Sequence, residues 1–361
     1  MPDEAVPADV PELTPDWLTG VLLADGTLPA GHRVTAVSVT DIDGGAIART
    51  VRLRLSYDRP VPGAPDTLVA KSPALAEQPR ALAVMAGLYT REVRFYQDFA
   101  PSLPMRVPRC HAALLAQDTG GFALLLEDIA DGTQHDQDDA YPPEDVLLAL
   151  RELAALHAAH WDDPKLAEAD WLNRLDEASV PMWQGLFEAT WREFTAREEV
   201  VLDPELRALG DRLCATGVAG LLAADGPKSL THADFHVSNM LFRDTPRGRE
   251  VVTVDWQLAM HACPLLDVAY LIGRMPTDVR RAGERELVRA YHDALVAAGV
   301  AGYPREACWT DYRRWAWYGV ISSLVAVLGT PLSPDEARRY TAKVTRYLTQ
   351  VADLDSAEFL G

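Results

Sequence analysis

An α+β fold of two unequal parts is expected for this chain: a small five-stranded antiparallel lobe, then a larger, mainly helical lobe. Three observations carry the expectation. Strand-like runs with period-two alternation crowd the residues before 128. From Pro143 onward the apolar period becomes helical. One β island, KSLTHADFHVSNMLFR with VVTVDWQL, interrupts the helical part. The boundary is therefore expected between residues 128 and 129, with a β-rich region at 1–128 and a helical region at 129–361.

The N-terminal elements follow from local patterns. ELTPDWLTGVLL reads as a short helix, capped near Thr14 with Pro15 at its first position. In RVTAVSVTDI, Val37 and Val39 alternate with Ser38 and Thr40; in TVRLRLSY, Val51, Leu53 and Leu55 alternate with Arg52, Arg54 and Ser56. That is the signature of half-exposed strands. A turn with two glycines, Gly44 and Gly45, separates them, and TLVAKSP forms a third strand bounded by proline-rich turns. One long helix is expected over Pro79–Phe99, its stripe running Leu82, Met85, Leu88/Tyr89, Phe95/Tyr96 and Phe99. Pro101 and Pro104 end it, and VPRCHAALLAQ and GFALLLEDI complete the five strands. The acidic stretch DGTQHDQDDAYPPED reads as a connector, and ALRELAALHAAHW opens the helical region.

Composition excludes several classes. The 361 residues are 48% hydrophobic and 24% charged, as in ordinary globular proteins. No apolar run reaches the roughly 18 residues of a membrane span, and the acidic N-terminus lacks a signal-peptide pattern. A formal net charge of −19 repels nucleic acid and anionic membrane surfaces, so neither is an expected partner. Cys110, Cys214, Cys263 and Cys308 lie far apart with no CxxC pair, which suits reduced thiols and a cytoplasmic setting. Of 34 basic residues only Lys71, Lys165, Lys228 and Lys343 are lysines. Where arginine is written almost by default, each lysine's compact charge invites a reason.

The chemistry concentrates in His232-Ala233-Asp234-Phe235-His236-Val237-Ser238-Asn239, with Asp255-Trp256-Gln257 following at a spacing of 16 from Asn239. This resembles the H-x-D-x-x-x-x-N loop and D-F-G segment of kinases. A triphosphate must be neutralised by Mg²⁺, which prefers oxygen ligands such as an Asn amide and an Asp carboxylate. A further carboxylate must stay free to accept the proton of the attacking hydroxyl. The spacing of Asp234 and Asn239 suits a tight loop, and the hairpin after Asn239 is expected to return the chain so that Asp255 faces them. Lys71, the only lysine before Lys165, ends a strand placed as the third of the small lobe. Kinases use a lysine there for the α- and β-phosphates. Glu92 interrupts the apolar stripe of the following helix, and a buried carboxylate left alone costs about 3–5 kcal/mol. Lys71 is its natural partner.

Taken with LVAKSP, REVRFYQDFAP, VPRCHAA, LLLEDI, LAALHAAHW, HADFHVSNMLF, VDWQ and PLLDVAYL, the chain resembles the aminoglycoside phosphotransferase and choline-kinase superfamily over about residues 40–275. Within it, the ecdysteroid-kinase-like branch is the most similar. The resemblance implies a bilobal protein-kinase-like fold and an ATP- and Mg²⁺-dependent phosphotransferase. It implies Asp234 as catalytic base and Asn239 and Asp255 as magnesium ligands. It also implies the main chain around Glu127 and Ile129 as the adenine-binding hinge, and Gly44-Gly45 as a reduced phosphate-covering loop. The chain departs from kinases at Ala233, which replaces Arg or Gly, and at Gln257, which replaces the D-F-G glycine. The second change argues against a flipping segment.

Other readings stand beside these. His232 is expected to anchor the loop, Asp267 to act as a structural hydrogen-bonding residue, and Gly44-Gly45 to serve equally well as a plain hairpin turn. His232-x-Asp234-x-His236 has the look of a metal hydrolase cluster, but that leaves Asn239, Asp255, Lys71 and Glu92 unexplained. An inactive kinase-fold binding module would be marked by loss of Lys71, Asp234, Asn239 or Asp255; all four are present. The aromatic segment 309–318 is core first and substrate-pocket lining second, and the connector Asp136–Asp145 is a solvated loop that could also meet a cation. Only 11 residues separate Asp255 from Asp267 and no A-P-E follows, leaving little room for a peptide platform. The expected acceptor is a small hydroxylated molecule: an amino sugar, an aminoglycoside, a choline-like alcohol or a lipophilic alcohol.

Overall fold

The computed structural model describes residues 6–7, 9–42, 47–116, 120–136, 141–222, 226–327 and 332–360. It comprises two units, Met1–Thr133 with Leu241–Ala259, and Gln134–Met240 with Met260–Gly361.

In the first unit helix α1 spans Pro15–Ala24, with the Thr14 hydroxyl accepting from the Trp17 amide at 3.2 Å and Pro15 at its first position, as the sequence pattern implies. Strands β1 (Val34–Asp41), β2 (Ala48–Tyr57), β3 (Thr67–Pro73), β4 (Cys110–Ala116) and β5 (Gly121–Glu127) form one antiparallel sheet in the order β1-β2-β3-β5-β4. Alternation sorts its faces. Val51, Leu53, Leu68 and Ala70 join Leu18 and Leu22 in one core, each larger side chain contributing about 1.5–3 kcal/mol by burial.

The single helix expected over Pro79–Phe99 is two: α2, Glu77–Met85, and α3, Leu88–Asp98. Gly87 between them takes φ 68°, a left-handed conformation that ends a helix and that glycine adopts without penalty. The break resets the helical phase. Leu82 and Met85 are therefore 51% and 79% exposed, while Leu88, Tyr89, Phe95 and Tyr96 are buried.

The second unit begins with α4 (Pro143–Ala159), α5 (Pro164–Glu168), β6 (Asn173–Arg174), α6 (Val180–Thr195), α7 (Pro204–Thr216), α8 (Ala219–Leu222) and β7 (Ser229–Thr231). A hairpin, β8 (Met240–Thr245) and β9 (Gly248–Thr253), follows. After it come β10 (Met260–Ala262), α9 (Leu265–Gly273), α10 (Thr277–Ala297), α11 (Arg305–Val325) and α12 (Pro334–Asp353). β10 lies between β6 and β7 in a small sheet, with Met260 opposite Thr231.

The expected division at 128/129 is displaced, and the hairpin groups with the first unit rather than the helical one. Main-chain bonds explain this. Thr133 and Phe242 exchange N–H···O bonds of 2.7 and 2.9 Å, and the Thr253 amide donates to the Arg106 carbonyl at 3.0 Å. Buried backbone groups need such partners, and these come from the β-rich unit. Among the described residues no helix is long and apolar enough to cross a membrane.

Candidate active site

In the first unit, β3 runs antiparallel to both β2 and β5, with Lys71 opposite Thr50 and Leu124. Its ammonium donates to both oxygens of Glu92 on α3, at 2.7 and 2.9 Å, and to Asp255 Oδ1 at 3.1 Å. The ion pair that the α3 stripe calls for is thus present, and Lys71 has a second carboxylate. The Glu92 side chain is 2% exposed and that of Asp255 is 28% exposed. One carboxylate therefore serves the interior, while the other retains a face toward solvent. Burial alone lowers a lysine's pKa, but the charges of Asp255 and Glu92 outweigh it and hold Lys71 above its ordinary value, fully protonated at neutral pH.

Asp255 adopts φ 68° and ψ 66°. A non-glycine residue in this region carries about 1–2 kcal/mol of strain, so its neighbours must hold it. Trp256 is fully buried and stacked flat on Phe95 of α3, ring centroids 3.9 Å apart. Gln257 Nε2 donates to Asp255 Oδ2 at 3.3 Å, and the Gln257 carbonyl accepts from Arg91 at 2.6 Å. Gln257 in place of glycine and a buried tryptophan together make an anchored turn.

At the end of β5 the Glu127 carboxylate accepts from Arg106 at 2.6 and 2.7 Å and from the Arg109 amide at 2.9 Å. Burial works the other way, but these donors hold its carboxyl below the ordinary range. Asp128 forms a two-point pair with Arg52, at 2.7 and 3.0 Å. The Ile129 side chain is buried and its carbonyl accepts from the Gly132 amide. The segment around Glu127 and Ile129 is thereby pinned on both sides by arginines. Gly44 and Gly45 lie outside the described residues.

In the second unit, β7 delivers the loop that carries Asp234. Ala233, Phe235 and Val237 are buried in alternation, and the Asp234 side chain between them is 23% exposed. Asp267, fully buried in the first turn of α9, accepts the His232 amide at 2.7 Å and the Ala233 amide at 2.8 Å. The Tyr318 hydroxyl donates to the Ala233 carbonyl at 2.6 Å. These bonds offset the strain of Ala233, whose φ is 64° and whose side chain is fully buried. His232 Nδ1 accepts the Asp234 amide at 3.2 Å, the anchoring role expected of it.

Asn239 ends a 3-10 turn, and its side-chain nitrogen donates to the Asp234 carbonyl at 2.9 Å and to Asp234 Oδ2 at 3.1 Å. That leaves the amide oxygen as the atom available to a hard cation. His236 Nε2 lies 3.4 Å from Asp234 Oδ1. Burial, which raises a carboxyl's pKa, is outweighed for Asp234 by His236, His232 and Arg274, and the carboxylate stays ionised. Burial takes the His236 imidazole below its ordinary value. Among the described residues no three His, Cys, Asp or Glu side chains gather as a metal cluster. The hydrolase reading of His232, Asp234 and His236 therefore has no ligand set here.

The model of the ecdysteroid kinase-like family matches residues 47–299, more than half of the chain. The chain belongs to that family. Ecdysteroid kinase-like proteins are kinase-like small-molecule phosphotransferases, and the comparison of folds agrees. A microcompartment-associated aminopropanol kinase superposes with a TM-score of 0.57 at 15% identity, covering 94% of this chain and 99% of its own. The choline kinase of Cryptosporidium parvum Iowa II gives 0.57 at 10% identity, covering 96% and 97%. A spectinomycin phosphotransferase solved with ADP and spectinomycin gives 0.51 at 13% identity, covering 94% and 98%. At these identities the likeness establishes the protein-kinase-like fold. No curated protein matches the sequence.

Placed on this ecdysteroid kinase-like fold, the residues singled out from sequence fall into two sets, each within one unit: Lys71, Glu92, Asp255, Glu127 and Ile129 in the first, Asp234 and Asn239 in the second. Of two other expectations, the solvated connector changes and the core role of segment 309–318 holds. Asp145 of the acidic connector is fully buried against His135 at 2.8 Å rather than solvated, while residues 137–140 lie outside the described set. In segment 309–318, Tyr312, Trp315 and Trp317 are buried in the core; Trp315, Trp317 and Tyr318 also wall an apolar cavity with Trp183 and Ile321. Sequence reasoning passed over Arg91, His157 and Tyr318. His157 Nε2 reaches Asp267 Oδ2 at 3.4 Å while Nδ1 meets the Tyr291 hydroxyl at 2.7 Å. Its signal was present in LAALHAAHW, a histidine on an otherwise apolar helical face.

Proposed function

We propose that this protein transfers the γ-phosphate of ATP to a hydroxyl of a small molecule. The observation that carries the reading is Lys71 held between a buried carboxylate, Glu92, and a partly exposed one, Asp255. A lysine tethered only for stability has no need of the second, strained aspartate. In this reading Glu92 orients Lys71 toward the α- and β-phosphates, and main chain around Glu127 and Ile129 receives the base. Asp234 accepts the acceptor's hydroxyl proton as the new O–P bond forms and the bond to the ADP oxygen breaks. ADP in a spectinomycin phosphotransferase and GDP in an aminoglycoside 2'-phosphotransferase of similar fold support a purine nucleotide as phosphate donor here.

Asp255 offers a carboxylate and Asn239 an amide oxygen left open by its loop, each the kind of hard oxygen donor that Mg²⁺ prefers. When bound, it would neutralise the triphosphate. Unpaired cysteines and an ATP requirement fit a cytoplasmic setting, and the net charge of −19 supports a small molecule rather than a nucleic acid or membrane as partner.

The test is an ATP-consumption screen over amino sugars, aminoglycosides, choline-like alcohols and lipophilic alcohols, run beside Asp234→Asn. A single acceptor class should elicit Mg²⁺-dependent ADP formation. Asp234→Asn should lower turnover about 10²-fold or more, the scale of general-base loss, with ATP binding little changed. Mg·ATP binding without turnover on any acceptor would favour the inactive binding module; full turnover in Asp234→Asn would remove that residue from catalysis.

A further inference from the structure

Arg91 is 2% exposed, yet its described partners include no carboxylate. Nη1 donates to the Gln257 carbonyl at 2.6 Å, Nη2 to the Ala86 carbonyl at 2.9 Å, and Nε is buried without a partner. Burial takes the guanidinium down to about 10, so it is charged at neutral pH. A buried cation without a counter-charge is costly, and replacing it by an apolar residue would be the easier way to fill a helix face. Its two acceptors show what it does instead. Ala86 is the C-cap of α2, where main-chain carbonyls are unsatisfied and the helix end is partially negative. Gln257 is two residues beyond Asp255.

The turn needs such a hold. Asp255 is left-handed and not glycine, and strained backbone persists only where its surroundings over-determine it. Lys71 and Gln257 reach the Asp255 side chain, and Phe95 fixes the ring of Trp256. Arg91 grips the main chain of the turn itself, from the α2–α3 junction.

We infer that Arg91 is a positioning residue: it tethers the Asp255–Gln257 turn to the α2–α3 junction and so sets the Asp255 carboxylate for a nucleotide-borne divalent cation. The cation half rests on the function proposed above; the tether does not. A lysine at this position would keep the charge but reach one carbonyl rather than two, which makes Arg91→Lys the conservative comparison.

The experiment compares the full-length chain with Arg91→Met and Arg91→Lys by hydrogen exchange without nucleotide, then by Mg²⁺ titration of ATP binding. In Arg91→Met, exchange over residues 255–259 should quicken about tenfold or more, the scale of a lost charge-assisted hydrogen bond, while strands β1 and β2 keep wild-type exchange. The Mg²⁺ concentration for half-maximal ATP binding should rise about tenfold, with ATP binding in the absence of Mg²⁺ unchanged and Arg91→Lys intermediate. Wild-type exchange over 255–259, or acceleration spread evenly through the unit, would overturn the tether. A loosened turn with an unaltered Mg²⁺ requirement would overturn the positioning role. If the wild type binds no Mg·nucleotide at all, the proposed function fails while the exchange comparison still decides the tether. Should Arg91→Met not fold, Arg91→Lys is read by the same criteria.

Discussion

Trp256 lies flat on Phe95, with ring centroids 3.9 Å apart and planes 6° from parallel. Both rings are fully buried. The stack fastens the residue after Asp255 to the helix that carries Glu92, so the two carboxylates that hold Lys71 rest on one packed framework. Turning this segment over would expose an indole and open a cavity beside Phe95, a loss of about 3–5 kcal/mol on the scale of large core truncations. Burial of Trp256 thus opposes such a turnover, beside the missing glycine.

Lys71→Met should destabilise the first unit by about 3–5 kcal/mol, because the buried Glu92 carboxylate loses the ammonium that donates to both of its oxygens. The double variant Lys71→Met/Glu92→Leu should recover much of this, since an apolar pair can replace a buried ion pair. Chemical denaturation of the three proteins measures both. Because the folded pKa of Lys71 is raised, its contribution is complete below the ordinary value of 10.5 and fades as pH climbs through the folded value. A single variant as stable as the wild type would mean that Glu92 draws its compensation elsewhere.

Asp255→Ala should abolish Mg²⁺-dependent ATP binding while leaving the Lys71–Glu92 pair in place, since Glu92 provides two of the three ammonium contacts. Calorimetric titration with and without Mg²⁺ separates the effects. Unchanged Mg²⁺-dependent affinity removes Asp255 from the metal site.

Asp267→Asn keeps the volume of the side chain but turns one acceptor into a donor facing a buried amide of His232 or Ala233. The expected cost is about 1.5–3 kcal/mol, seen as a lower melting temperature, with a parallel fall in turnover as the Asp234 loop loses its clamp. Wild-type turnover in a folded Asp267→Asn would separate the loop's geometry from this carboxylate.

Glu127 supplies a pH prediction. Its folded pKa is depressed by Arg106 and the Arg109 amide in spite of burial, so the stability it contributes is present above its ordinary value of 4.5 and lost as pH falls through the folded value. Glu127→Gln should therefore flatten the acid limb of the stability profile. Melting temperatures measured from neutral pH downward through that range should converge for wild type and variant at the acid end. Parallel curves would show that Arg106 is satisfied without the charge.

Much of this architecture was legible in the chain because it rests on local rules. Alternation in TVRLRLSY and GFALLLEDI is a property of each strand, and Thr14-Pro15 marks a helix start whatever packs on it. The Lys71–Glu92 pair was readable too, since a carboxylate inside an apolar stripe demands a cation and the first 160 residues offer one lysine. Other features depend on contacts between segments far apart in sequence. The left-handed Gly87 divides a stripe that looks continuous on paper, because a helical period carries no mark of its own interruption. Nothing in the sequence singles out Arg91, because the Gln257 carbonyl it meets lies 166 residues away. The membership of the β8–β9 hairpin rests on main-chain bonds to Arg106 and Thr133, and main-chain groups are the same in every residue. Patterns of side chains can specify an element and the charge it needs; which distant carbonyl satisfies that charge is settled when the chain folds.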